Sequence, residues 1–177
     1  MRWISNKKLL QHLDEMQKAG NHVDKRLIEQ AKKSGTSFFL FTLEDKESFL
    51  SLIWHEIDES RLLTPNGSPR SLRDIAQCMI NNRYTFENIS INLNLPRNQH
   101  DPEWFEKCIH IHNQFEYKRF GWITIVPATD HERQQTPHGT FYIYDGCHKA
   151  LVLGKLLLCN DIEFKSVEVL LLLPRPK

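Results

Sequence analysis

The residues with the most chemical content lie together in Tyr142–Gly154, YIYDGCHKALVLG. The apolar and aromatic run over 141–144 predicts a strand, Asp145-Gly146 a tight turn, and Cys147–Leu158 a helix that begins at once. The first turn of such a helix holds N–H groups with no intrahelical partner and the positive end of the helix dipole. It therefore attracts an anion. His148 and Lys149 fall in that first turn, where cations are ordinarily unfavourable, and a bound anion would offset them. Gly146 would admit the anion close to the backbone, with Cys147, His148 and Lys149 beside it. Asp145 reads in two ways, as a carboxylate that holds a metal or orients substrate, or as an acidic N-cap. Cys147 reads either as a thiol acidified by the helix end and its cationic neighbours, or as a residue of the turn without chemistry of its own.

Other chemistry-bearing residues are more dispersed. Glu56, Asp58 and Glu59 form an acidic cluster, which read by itself is a solvated strand end. Arg70 closes the loop Leu62–Arg70, LLTPNGSPR, dense in Pro, Gly, Asn and Ser. Cys108, His110 and His112 spell C-x-H-x-H, but residues two apart on a helix face different directions. No metal site is expected there.

The elements that must position these groups follow from periodicity. Residues 5–18 predict a helix with Ser5 as N-cap and Leu9, Leu10, Leu13 and Met16 on one face, and Val23–Lys33 a second, ended by Gly35. Ser37–Thr42 predicts a strand, Phe49–Ile57 is ambiguous, and Ser71–Ile80 predicts an amphipathic helix. Ile89–Leu95 alternates as a half-buried strand would. Asp101-Pro102 starts a helix whose one face carries Trp104, Phe105, Cys108, Ile109, His112 and Phe115. Trp122–Val126 predicts a strand, Thr129–Gly139 a polar loop, and Ile162–Leu173 a closing strand.

Composition narrows the class. Lys and Arg total 23 against 22 Asp and Glu, so no basic bias advertises nucleic-acid binding. Four scattered cysteines without a CxxC pair, a charged N-terminus and no long apolar run predict a soluble, cytoplasmic chain with reduced thiols and no membrane association. Oligomeric state is not legible.

The turn, Asp145-Gly146-Cys147-His148-Lys149 with Ala150 and Leu153 behind it, resembles the phosphate-binding motif of the ParB/sulfiredoxin superfamily. Sulfiredoxins carry a GCHR motif with a catalytic Cys, and the free serine kinases of the same fold a DGHHR-type motif; DGCHK is intermediate. Residues 57–80, Gly121–Ala128 and Phe164–Leu173 resemble the family's opening element, the strand before the motif and the strand after it. The resemblance implies an α+β fold, a ParB/sulfiredoxin-like mixed sheet with flanking helices over 48–177, preceded by an N-terminal helical extension over 1–47. It implies an ATP- or ADP-dependent phosphotransferase, with Mg²⁺, acting on a small hydroxyl-bearing metabolite. Asp145, Gly146, Cys147, His148 and Lys149 would bind the nucleotide, with Arg70 a second phosphate donor. Asp145 would serve the metal, and Glu56 or Asp58 would be the base. Two alternatives stay open: a sulfiredoxin-like, ATP-using reductase working through Cys147, and a nucleotide-sensing or DNA-associated module without turnover. Lys149 departs from the usual Arg and loses its bidentate fork. No helix-turn-helix pattern follows the motif, which counts against DNA binding.

Overall fold

A computed structural model describes residues 1–18, 25–32, 35–54, 70–88, 102–136 and 139–174. In chain order the elements are β1 (Arg2–Ile4), α1 (Asn6–Lys18), α2 (Lys25–Lys32), β2 (Thr36–Leu43), α3 (Lys46–Leu50), β3 (Ile53–Trp54) and β4 (Arg70–Ser71). They continue as α4 (Leu72–Asn81), α5 (Pro102–Asn113), α6 (Tyr117–Phe120), β5 (Ile123–Pro127), α7 (Asp130–Gln135), β6 (Phe141–Asp145), α8 (Cys147–Leu158) and β7 (Val167–Pro174). The class is α+β, and the strands form one seven-stranded mixed sheet in the order β1-β2-β7-β5-β6-β3-β4. The β7–β5 and β6–β3 pairs are parallel and the others antiparallel.

Strand pleating sends alternate side chains to opposite faces, and this sorts the chain into two apolar layers. On one face Phe39, Phe41 and Leu43 of β2 join Ile123, Ile125, Ile143, Val167, Val169 and Leu171 under α8, with α4 and α5 packed against α8. On the other, Phe38, Leu40, Leu170 and Leu172 lie against Leu9 and Leu13 of α1 and Leu27 and Ala31 of α2. α8 reads as an apolar run because it is sunk in the main core, where Ala150 through Leu153 are all buried. Trp54 is fully buried there, and truncating so large a side chain costs about 3–5 kcal/mol.

Local signals set most of the ends. Ser5 begins α1, its Oγ accepting from the Lys8 amide. Ser71 and Asp74 close a reciprocal capping box on α4, which fixes the chain immediately after Arg70. Several expectations shift. The strand expected at Ser37–Thr42 is present as β2, but residues 1–47, read as a helical extension, also supply β1, and β2 runs antiparallel beside β7 over eight residue pairs. The ambiguous Phe49–Ile57 segment begins as the end of α3 and the two-residue strand β3. The polar stretch Thr129–Gly139, expected as loop, contains α7. The closing strand starts at Val167 rather than Ile162. The alternating segment Ile89–Leu95 and the N-cap expected at Asp101 lie outside the described residues.

Candidate functional site

One end of the sheet collects the candidate groups. β6 runs toward Asp145, and β3, parallel to it, reaches Trp54 level with Ile143. β4 starts opposite that point, with Arg70 paired to Trp54. β5 is antiparallel to β6 and begins at the same end, with Thr124 opposite Asp145 and Ile125 opposite Ile143. Ile125, Ile143, Trp54 and Arg70 therefore form one row across four strands, and Asp145-Gly146 turns off just beyond it. A register irregularity between Thr124 and Ile125 marks where β6 leaves the ladder. Arg70 is half-buried in this row.

The turn itself depends on glycine. Gly146 is the N-cap of α8 and is left-handed, with φ 91° and ψ 21°. A Cβ there would stand 2.9 Å from both Ile123 Cγ2 and Lys149 Cε, so backbone conformation and space both demand its absence. The Asp145 carboxylate accepts from the Gly146 amide at 2.8 Å, holding the turn from the inside. Gly146 rather than Asp145 is the N-cap, with no side-chain cap bond; the Asp145 carboxylate steadies the turn through that adjacent amide, and its charge also acts on Lys149.

The residues of the first turn diverge in what they face. His148 is half-buried. Cys147 is 3% exposed, a member of the main core, with its thiol 3.8 Å from the Ile143 carbonyl as a weak donor. A thiol enclosed in the core is shielded from a reacting partner, which weighs against Cys147 as a nucleophile. The ammonium of Lys149 donates to the carbonyl of Phe120 at 2.8 Å and to that of Trp122. It also lies 5.4 Å from the centre of the Phe120 ring. Burial pulls its pKa down to about 8, the Asp145 carboxylate opposing part of that fall. Lys149, expected as a phosphate ligand, thus directs its charge to the backbone where α6 meets β5.

Glu56 and Asp58, the expected bases, lie outside the described residues, as does Glu59. Among the described residues no three His, Cys, Asp or Glu side chains gather as a metal cluster, and Cys108, His110 and His112 do not form one. Mg²⁺ ordinarily uses one or two carboxylates together with phosphate oxygens and water, so Asp145 fits a share of such a site without a protein cage. The Phe120 and Trp122 carbonyls are the participants that sequence reasoning missed. Main-chain acceptors leave no residue type to read; Gly121 between them, with φ 62°, is the only trace.

The buried Thr124 hydroxyl, beside Asp145 in register, finds no hydrogen-bond partner among the described residues. Among the described residues, no helix is long and apolar enough to cross a membrane. Compared with protein-family models, with curated proteins and with solved structures, the chain matches none.

Proposed function

We propose that the chain is a nucleotide-binding protein of ParB/sulfiredoxin-like architecture that seats the phosphates of ATP or ADP on the β6–α8 turn. The observation that carries this reading is the left-handed Gly146 opening α8 directly beyond the strand row that begins at Arg70. A glycine-opened helix start presents N–H groups and a positive dipole end to an anion, and Arg70 would add a fork suited to phosphate oxygens.

The reaction this site would support is phosphoryl transfer to a small hydroxyl-bearing metabolite. Such transfer needs chiefly positioning and charge neutralisation. The amides of the first turn of α8 and Arg70 would hold the phosphates, and His148 would add a donor. Asp145 would orient substrate or contribute to Mg²⁺, which when bound neutralises charge on the phosphate oxygens. Glu56 or Asp58 would take the hydroxyl proton. The burial of Cys147 favours this reading over a thiol-dependent reductase.

The test is a thermal-shift series with ATP, ADP, CTP and GTP, each with and without Mg²⁺, followed by a transfer assay over hydroxyl-bearing metabolites. A shift with ATP or ADP and transfer retained in Cys147→Ser are the expected results. No shift with any nucleotide would remove the reading; binding without transfer would leave a nucleotide sensor.

A further inference from the structure

We propose that Lys149 is a positioning residue, which ties the Gly146 turn to the α6–β5 junction and does not itself touch the phosphate. This inference rests on the nucleotide reading of the turn for its functional meaning, while the tie is testable without any nucleotide.

The geometry is that of a built slot. The Lys149 side chain runs from the first turn of α8 back over Gly146, where a Cβ would come within 2.9 Å of Cε. It ends near Gly121, where a Cβ would be 3.8 Å from Nζ. Two positive-φ glycines thus flank its path. At the end of the slot the ammonium donates to the carbonyls of Phe120 and Trp122, with the Phe120 ring beside it. Phe120 is the last residue of α6, so its carbonyl has no helical partner further along the chain and needs a donor from elsewhere.

The far end of the tie is a fixed point. Trp122 is buried in the second apolar layer and its ring lies 4.3 Å from that of His12 on α1. Through Trp122, Lys149 joins the turn on one side of the sheet to the helical layer on the other. An ammonium aimed at two backbone carbonyls has at most one donor left, whereas a phosphate ligand would turn all of its charge outward.

Arginine distinguishes the two roles. Were Lys149 a phosphate ligand, Lys149→Arg would bind ATP at least as tightly, because the guanidinium grips phosphate oxygens in pairs. A guanidinium is bulkier than the ammonium that reaches the Phe120 and Trp122 carbonyls past Gly146, so a positioning role predicts that Lys149→Arg loses the tie as Lys149→Met does. The experiment measures ATP affinity by calorimetry and, without nucleotide, amide hydrogen exchange over 146–150, in the wild type and both variants. Both variants are expected to exchange faster across the turn and to bind ATP about tenfold or more weakly. Unchanged exchange with equal or tighter ATP binding in Lys149→Arg would overturn the proposal. A wild type that binds no nucleotide would defeat the nucleotide reading and leave the exchange comparison to decide the tie. If neither variant folds, side-chain NMR of the wild type decides. Slowly exchanging Lys149 ammonium protons, undisturbed by ATP, support the tie; rapid exchange or a direct response to ATP contradicts it.

Discussion

The ammonium of Lys149 and the carbonyl of Phe120, twenty-nine residues apart in the chain, share a 2.8 Å hydrogen bond at the end of the sheet. Between them lies Gly146, whose missing side chain lets the lysine fold back. A methyl group at that position meets both a left-handed backbone and two close carbon neighbours. Gly146→Ala is therefore predicted to cost about 1–3 kcal/mol of stability in chemical denaturation. Gly35→Ala, at φ 117° with nothing within 4 Å of its Cβ among the described residues, would report the cost of the backbone conformation alone. A loss at Gly146 well below about 1 kcal/mol would contradict the strain and crowding at this turn.

Lys149 should also write a signature into the pH dependence of stability. Its proton is held less tightly in the folded chain, about 8 against the ordinary 10.5, because burial opposes the charge. Between those values the unfolded chain binds more protons, so this group's contribution makes stability rise with pH. The gain across that window should be about 1–3 kcal/mol. Below it, the folded state carries the full cost of the buried charge. Tyr117 acts in the opposite sense, since burial raises its pKa. The quantity to measure is the difference in denaturation midpoint between the wild type and Lys149→Met across pH 8 to 10.5. That difference should shift toward the wild type as pH rises; a flat difference would contradict the buried charge.

Thiol accessibility separates the cysteines. Cys159 is exposed, Cys78 half-buried, and Cys108 and Cys147 are buried in the main core. With an aromatic disulfide reagent under native conditions, Cys159 should react first and Cys147 only on unfolding. Rapid labelling of Cys147 in the native chain would restore the reductase reading.

Residues 1–47 should be required for folding of the remainder. Removing them strips β2 from eight residues of β7 and uncovers Phe38's partners in the second apolar layer. An exposed, hydrophobic strand edge invites aggregation. A chain of residues 48–177 is predicted to be insoluble or to lack a cooperative thermal transition, and a sharp transition would show that the boundary at 47/48 is a domain boundary.

Legibility followed the reach of each interaction. β6, α8 and their glycine turn were readable because apolar periodicity and Asp145-Gly146 are local features. α7, DHERQQ, has no apolar face, so no periodic signal marks it within a polar stretch. β1 is three residues long and exposes Trp3, and only pairing with β2 makes it a strand. The placement of Arg70 level with Ile143 required the sheet order, which periodicity does not carry. Lys149 was recognisable as a cation at a helix start, but its acceptors are backbone carbonyls from another element. Residue type alone therefore pointed it at an anion.

Whether phosphate seats on the first turn of α8 is decided by a backbone amide NMR titration. With ATP, in the presence and absence of Mg²⁺, the largest shift changes are expected on Gly146, Cys147 and His148. A change at Arg70 and weaker binding in Arg70→Ala should accompany them. Saturable changes centred elsewhere on the sheet, or none with any nucleotide, would contradict that seating.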